Sequence, residues 1–233
     1  MGTLILSGSP KRGDGASRRL GLALVEAIGR LAPKSPGAGA FGGPNGGDQT
    51  AGDQAAGGGG EVKLVYSAGL SPEGLLELLG THRTLILTFP LYVDSLPSHL
   101  VDLLEGIKGK VSGVSLYAVV NSGFFESEKN LVAIEILKNF CLEAGLKWGR
   151  ALAFGGGGMV VSSSRLNFGP LKGLGLELER LAADALAGAE GPDRLATPKV
   201  PKWFYKFGAH LLWRWKAFRN GLKGKDLYRR LDG

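Results

Sequence analysis

The chain has 233 residues, 44% of them hydrophobic, which suits one α/β domain with attachments better than two full domains. The net charge of +7 is concentrated from Pro198 onward, where ten Lys or Arg stand against two Asp or Glu, whereas residues 1–197 hold 18 basic and 19 acidic residues. A neutral body argues against a core fold that coats nucleic acid, so no nucleic-acid partner is expected.

A single cysteine, Cys141, excludes an internal disulfide and an iron–sulfur cluster held by the chain's own thiolates. Its place among apolar residues at helical spacing predicts a buried, inert thiol. There is no basic N-terminal stretch followed by a long apolar run, and no run approaches the roughly 18 residues that span a bilayer. We therefore expect a cytoplasmic protein.

Apolar strand patterns alternate with helical patterns along the chain. Strands are predicted over 3–8, 61–68, 83–92, 115–123 and 148–158. Helices are predicted over 17–31, 71–80, 96–107, 127–145 and 170–188. Ser71 is the predicted N-cap of the second helix, with Pro72 at its first position. This alternation predicts an α/β fold with a parallel sheet covered on both faces.

Two segments depart from the alternation. Residues 33–60 are a Gly-rich, low-complexity stretch, predicted to be a disordered surface insertion; a substrate lid is the alternative, with no residue to support it. The predicted organisation is a domain over 1–190 that carries this insertion, followed by a basic, aromatic, helical extension over 191–233.

The extension predicts an amphipathic helix. Six apolar side chains fall near one face, namely those of Phe204, Phe207, Leu211, Trp215, Phe218 and Leu222. Such a helix could dock on the protein's own body, pack across a dimer, lie on an anionic membrane surface, or touch RNA. Docking on the body or on a subunit partner is the commonest fate of a terminal amphipathic helix.

The turn after the first strand indicates an anion site. Ser9, Lys11, Gly15 and Ser17 supply hydroxyls, charge and close backbone approach at the N-terminus of a helix, where phosphate binds well. The dinucleotide and P-loop glycine motifs are absent, and the second strand ends without an acidic residue. A terminal monophosphate is therefore favoured over a pyrophosphate, the alternative being a turn that only caps the helix, with Ser17 as the capping side chain.

The segment after the third strand offers a wall for a flat ring. Pro90, Leu91 and Tyr92 leave the sheet where a ring would sit above the phosphate site. The alternative is an ordinary turn with Tyr92 in the core.

The segment after the fourth strand suits a polar heterocycle with carbonyls and ring nitrogens. Its candidate contacts are Asn121, Ser122, Gly123 and Phe124. Glu126 is interpreted as a helix cap, and the glycine run 155–158 as backbone that passes close to a ligand or a subunit.

Together, "GSPKRGDGAS", "FPLYVDSLP" and "NSGFFESEKN" resemble the loops of flavodoxin-like NAD(P)H-dependent FMN reductases, over roughly residues 1–160. The resemblance implies a three-layer fold with a five-stranded sheet in the order 2-1-3-4-5, and FMN as cofactor. It also implies a homodimer or tetramer whose interface completes the flavin pocket. Members with a compact cysteine motif are excluded, and the insertion and basic tail are atypical.

The resemblance also assigns roles by position. The phosphate would be held by Ser9, Lys11, Ser17 and nearby backbone, and the ring would be contacted by Pro90, Leu91, Tyr92, Val93, Ser122, Gly123 and Phe124. No catalytic acid, base or nucleophile is expected, and the three histidines have no metal-like spacing.

The implied function is an FMN-dependent oxidoreductase that passes reducing equivalents from NADPH or NADH to a quinone, a flavin or another small-molecule electron acceptor. One alternative is a flavodoxin-like electron carrier, although such carriers are usually strongly acidic. Another is a flavin-less binding module that uses the basic aromatic tail.

Overall fold

The computed structural model describes residues 2–10, 15–32, 61–223 and 226. The predicted insertion over 33–60 and the candidate Lys11 therefore lie outside the described residues. The chain forms two compact units, Met1–Pro198 and Lys199–Gly233.

The first unit is built on one sheet of six parallel strands in the order β2-β1-β3-β4-β5-β6. The strands are β1 (Gly2–Ser7), β2 (Val62–Tyr66), β3 (His82–Pro90), β4 (Ser115–Asn121), β5 (Lys147–Phe154) and β6 (Arg194–Ala196). The predicted α/β class and the strand order 2-1-3-4-5 are confirmed. The predicted number of five strands is wrong by one edge strand.

Helices connect the strands. They are α1 (Ala16–Leu31), α2 (Pro72–Thr81), α3 (Ser98–Ile107), α4 (Leu131–Ala144), α5 (Gly157–Ser162) and α6 (Lys172–Ala187). A 3₁₀ turn over Ser127–Asn130 precedes α4, and a second over Gly169–Leu171 precedes α6. The predicted cap of α2 is confirmed, because the Ser71 hydroxyl accepts a hydrogen bond of 3.1 Å from the backbone N–H of Gly74.

The core lies on both faces of the sheet because side chains alternate along each strand. Leu4 and Leu6 of β1 face α2, α3 and α4, whereas Ile5 between them faces α1 and α6. All three side chains are fully buried. This two-sided burial accounts for the continuously apolar strand sequences.

The sixth strand escaped prediction because it has three residues and no apolar run. β6 pairs only with Leu152–Phe154 at the end of β5. An ion pair of 3.1 Å between Arg194 and Asp184 of α6 joins it to the body, and the same carboxylate pairs with Arg150 of β5 at 3.1 Å. Polar contacts that are distant in sequence, rather than local pattern, therefore position β6.

The predicted fifth strand runs four residues too far. β5 ends at Phe154, and Gly156 has a φ of 79° before α5 begins. A Cβ on Gly155 would lie 2.1 Å from the carbonyl oxygen of Phe125. Within the chain, the close approach of Gly155 is therefore to the loop after β4.

Cys141 is buried in α4, at 1% exposure. Burial raises the pKa of its thiol to about 12, because the thiolate would lose its hydration. The predicted burial of the thiol is confirmed, and the raised pKa disfavours the reactive thiolate.

The second unit contains one long helix, α7 (Lys202–Arg219), where the sequence predicts an amphipathic helix. Among the described residues, no helix is both long and apolar enough to cross a membrane.

Candidate functional site

The loops that follow β1, β3 and β4 meet at the carboxyl edge of the sheet. One side chain, Asn121 at the end of β4, links all three segments. Its amide N–H groups donate to the Ser17 hydroxyl at 3.2 Å and to the Phe89 carbonyl at 2.9 Å. Asn121 is only 3% exposed, so these are buried hydrogen bonds. They fix the first turn of α1 against the carboxyl end of β3.

The first loop begins in tight contact with its neighbours. The backbone N–H of Gly8 donates to the Thr88 carbonyl at 2.8 Å. A Cβ on Gly8 would lie 2.8 Å from the Cβ of Phe89 and 2.9 Å from Cδ2 of Leu100. Only glycine therefore allows the chain to turn so close to β3 and α3.

Ser9 and Gly15 lie on the two sides of the first loop and face each other. A Cβ on Gly15 would lie 3.5 Å from the Ser9 hydroxyl oxygen. The Ser9 side chain is nearly buried, at 8% exposure. The candidate Lys11 stands between them in sequence, outside the described residues.

The N-terminus of α1 has no side-chain cap. Gly15 is its N-cap residue, and the first turn contains no acidic residue. The prediction that Ser17 caps the helix is wrong, because Ser17 lies inside the first turn and its hydroxyl accepts from Asn121. Because the first turn of the helix contains no carboxylate, its backbone N–H groups and partial positive charge favour an anion.

Ser17 is itself held from a second side. The Thr88 hydroxyl donates to the Ser17 carbonyl at 3.0 Å, and both side chains are almost fully buried. Arg18, next in the helix, donates from Nε to the Tyr66 hydroxyl at 2.8 Å. The first turn of α1 is thus anchored to β2, β3 and β4.

The loop after β3 continues the rim of the site. The N–H of Leu91 donates to the Asn121 carbonyl at 2.8 Å, and Tyr92 exchanges two backbone hydrogen bonds with Ser95. Between these two, Val93 and Asp94 have φ values of 48° and 57°. Left-handed backbone is costly for a β-branched residue, so this tight turn holds Val93 in a strained conformation.

The side chains of this loop face outward. Tyr92 is 46% exposed and Val93 is 98% exposed. The alternative in which Tyr92 belongs to the core does not describe the structure. Pro90 and Leu91 are half-buried at the base of the loop.

The loop after β4 adds a polar floor. Ser122 is 4% exposed, and its carbonyl accepts from the N–H of Gly157 at 2.7 Å. Gly123 and Phe124 follow as exposed residues. Glu126 occupies the N-cap position of the 3₁₀ turn but makes no capping bond through its side chain, so the interpretation of that carboxylate as a cap is wrong.

Two serine hydroxyls beside these loops are buried and have no hydrogen-bond partner among the described residues. They are Oγ of Ser7, the last residue of β1, and Oγ of Ser122. Buried hydroxyls are normally satisfied, and an unpaired one costs about 1–3 kcal/mol. A bound molecule with acceptors or donors at this edge would satisfy them.

Sequence reasoning missed Ser7, Ser67 and the role of His99. The Ser67 hydroxyl donates to the Ser7 carbonyl at 3.1 Å and lies 2.9 Å from Nε2 of His99. Because Ser67 uses its proton on Ser7, Nε2 of His99 must carry the hydrogen of that contact. A polar residue that ends an apolar strand, as Ser7 does, was the available signal.

No metal centre is found in the part of this edge that the structure describes. The described residues include no group of three or more His, Cys, Asp or Glu that could hold a metal ion. A cavity of about 570 Å³ lies instead between α1, residues 163–167 and α6. Its lining includes Arg30, which pairs with Glu26 at 3.5 Å and Glu179 at 2.9 Å, and none of the predicted site residues.

No family model matches the chain, and no curated protein matches it. Solved structures do. An NADH:FMN oxidoreductase in its apo form is 12% identical, with a TM-score of 0.55 over 82% of this chain and 90% of that one. An FMN-dependent NADH-azoreductase from Bacillus anthracis str. Ames Ancestor, in complex with FMN, is 14% identical, with a TM-score of 0.52 over 78% and 98%.

A flavodoxin of Streptococcus pneumoniae TIGR4 is also similar. It is 14% identical to this chain, with a TM-score of 0.51 over 81% of this chain and 100% of that one. At such identities the comparison establishes the fold, which is flavodoxin-like.

Proposed function

We propose that this protein binds FMN at the carboxyl edge of its sheet and transfers reducing equivalents from NADH or NADPH to a small acceptor, such as a quinone or a free flavin. The observation that carries the proposal is the junction made by Asn121, which brings the α1 N-terminus, the end of β3 and the loop after β4 to one place. Ligands of open parallel sheets bind at this edge, beyond the carboxyl ends of the strands.

The phosphate of FMN would lie at the N-terminus of α1. That end has no capping side chain and no acidic residue in its first turn, and the nearly buried Ser9 hydroxyl lies beside Gly15. Backbone N–H groups and the helix dipole favour a dianion there. Lys11 would add its charge, as the sequence indicates.

The flavin ring would lie over the loops after β3 and β4. Tyr92 and Phe124 offer partly exposed aromatic surface, at 46% and 53% exposure. The unpaired Ser122 hydroxyl would supply a hydrogen bond to a polar edge of the ring. Pro90, Leu91, Val93 and Gly123 would complete the contact with backbone and apolar atoms.

Bound FMN would supply the redox chemistry, since it accepts a hydride equivalent and passes electrons on to an acceptor. The protein would then hold the phosphate, stack against the ring, and keep water from part of its surface. No side chain is assigned as catalytic acid or base, because this division of labour does not require one.

The names of two similar solved structures support FMN as the cofactor and a nicotinamide as the electron donor. An NADH:FMN oxidoreductase and an FMN-dependent NADH-azoreductase share this fold over most of both chains. The flavodoxin neighbour supports the second candidate, an electron carrier that takes no hydride from a nicotinamide. The charge of the body favours the enzyme, because residues 1–197 carry nearly balanced charges.

Steady-state turnover separates these candidates. The full chain, incubated with FMN and freed of unbound flavin, is mixed with NADH or NADPH and a soluble quinone. We expect oxidation of one nicotinamide over many turnovers, at a rate that rises with protein-bound flavin. Bound flavin without turnover would support the carrier, and no retained flavin would support a flavin-less module.

A further inference from the structure

The second compact unit, residues 199–233, carries an apolar stripe that the flavin site does not use. Five side chains of α7 form the stripe: Phe204, Phe207, Leu211, Trp215 and Phe218. At 3.6 residues per turn they fall within about 80° of one another around the helix. Their exposed fractions run from 52% for Leu211 to 77% for Phe218, so every side chain of the stripe is at least half exposed.

The charge of α7 is of one sign. The helix holds five Lys or Arg and no Asp or Glu. Arg214 and Arg219 flank Leu211, the middle of the stripe, on opposite sides of the helix, at about 60° and 80°. Guanidinium groups on each border of an apolar stripe can reach sideways while the stripe itself is buried.

An aromatic ring reinforces this border on one side. The guanidinium of Arg219 lies 4.9 Å from the ring centre of Trp215, whereas the pair of Lys216 and Trp213, at 5.8 Å, lies on the opposite face of the helix. Cation–π contacts of this length keep cations beside the aromatic surface. Tryptophan paired with cations is typical of the interface between lipid and water.

We propose that α7 lies in the headgroup layer of an anionic lipid bilayer, with its stripe toward the acyl chains and its cations among the lipid phosphates. An anionic bilayer matches both features of the helix. Its acyl chains would cover the apolar stripe, and its closely spaced phosphates would pair with the cations. A second copy of the helix would cover the stripe but would set like charges against each other. A nucleic acid would match the charge but would leave the stripe exposed.

The test uses the full chain and two variants matched in charge. Leu211→Glu places a carboxylate in the centre of the stripe. Trp213→Glu, two residues further and therefore about 200° around the helix, makes the same charge change at another exposed side chain, well away from the stripe. Binding is measured by co-sedimentation with vesicles of phosphatidylcholine alone, or of equal parts phosphatidylcholine and phosphatidylglycerol.

We expect the unmodified chain to bind the mixed vesicles at least about tenfold more tightly than the neutral ones, and less tightly as salt is added. Trp213→Glu should weaken binding about fivefold, the effect of one charge near an anionic surface. Leu211→Glu should weaken it about fiftyfold, because it also removes an apolar side chain from the acyl layer.

Three results would overturn the proposal. The first is no binding to mixed vesicles at low salt. The second is an equal loss for both variants, which would show that charge alone acts. The third is an unmodified chain that does not bind vesicles and instead forms a dimer, which Leu211→Glu dissociates, or binds RNA. If Leu211→Glu loses helix by circular dichroism, Leu211→Ala takes its place, with an expected loss of about tenfold.

Discussion

The amide of Asn121 and the hydroxyl of Ser17 are joined by a hydrogen bond of 3.2 Å across 104 residues of sequence. The bond ties the end of β4 to the first turn of α1, and the second amide hydrogen of Asn121 ties both to Phe89 of β3. Both side chains are buried, at 3% and 2% exposure, and the Asn121 amide already uses its N–H groups on Ser17 and Phe89. We therefore expect their part in a flavin site to be to hold the rim in shape.

Replacement of Asn121 should lower both the stability of the fold and its affinity for FMN. Asn121→Ala removes two buried hydrogen bonds and should lower the free energy of unfolding by about 1–3 kcal/mol. It should also weaken FMN binding about tenfold, because the α1 N-terminus loses its tie to β3 and β4. Thermal melts measure the loss of stability, and flavin titrations run well below the melting temperature of the variant measure the loss of affinity.

Asn130 provides the matched control. It is fully buried, and its amide donates to the carbonyls of Ser127 at 2.9 Å and Phe154 at 3.2 Å. Asn130→Ala should cost similar stability and leave FMN affinity within about twofold. Equal losses of affinity in both variants would contradict the role given to Asn121.

Replacement of the Ser122 hydroxyl should affect protein stability and FMN affinity in opposite directions. Ser122→Ala should leave the flavin-free protein as stable as before, or up to about 1 kcal/mol more stable, because it removes a buried hydroxyl that has no partner among the described residues. The same change should weaken FMN binding several-fold. Ser127→Ala, which removes a hydroxyl 3.1 Å from that of Thr197, should instead lower stability and spare FMN binding.

Gly8 should accept no side chain. Gly8→Ala forces a Cβ to within 2.8 Å of Phe89, so we expect a loss of about 1–3 kcal/mol in unfolding free energy and weaker FMN binding as the first loop shifts. Gly80→Ala, in α2 with open space around the new Cβ, should stabilise by about 0.5–1 kcal/mol. Urea unfolding of the pair measures the contrast, and a neutral Gly8→Ala would refute the close approach.

The ion pairs at β6 should contribute more to stability than an exposed ion pair elsewhere on the protein. Asp184→Ala leaves Arg150 and Arg194 without their shared carboxylate and should cost about 2–3 kcal/mol, because Arg150 is nearly buried. Glu26→Ala, at an exposed pair with Arg30, should cost less than about 0.5 kcal/mol. Similar losses in the two variants would show that the network at β6 contributes little.

The buried thiol of Cys141 should make the free energy of unfolding depend on pH. Burial raises the pKa of this thiol to about 12 in the folded chain, from an ordinary value of 9.0. The unfolded chain therefore releases the proton first, so the stability that the buried thiol contributes is complete below pH 9 and declines from there towards pH 12. Relative to Cys141→Ala, the unmodified chain should lose about 1.4 kcal/mol of unfolding free energy per pH unit in this window. A constant difference between the two proteins from pH 8 to 11 would contradict this.

The sequence predicted what repeats locally and missed what depends on distant contacts. Long apolar alternation identified five strands and their helices, and Ser71 and Pro72 identified the start of α2. β6 is too short to have a pattern, and it depends on an ion pair with a helix ten residues earlier. The over-long fifth strand has the same cause, since the close approach of Gly155 to the Phe125 carbonyl and of Gly157 to the Ser122 carbonyl is a contact between distant segments.

The candidate site divides in the same way. Loop position in a parallel sheet was enough to select Ser9, Tyr92 and Ser122 as neighbours of one edge. It could not distinguish a residue that faces a ligand from one that braces the rim, as Asn121 does. That distinction depends on burial and hydrogen bonds in the folded protein. The buried Ser7 hydroxyl, which has no hydrogen-bond partner among the described residues, could not be recognised from the sequence for the same reason.

The most direct test of the proposed flavin site is a flavin-binding titration that compares FMN with riboflavin, which has the same ring and no phosphate. We expect FMN to bind with a shifted absorbance spectrum and riboflavin to bind about a hundredfold or more weakly, because the α1 N-terminus and Ser9 would lose their charged partner. Equal affinity for the two flavins, or no binding of either, would contradict a flavin phosphate site at the start of α1.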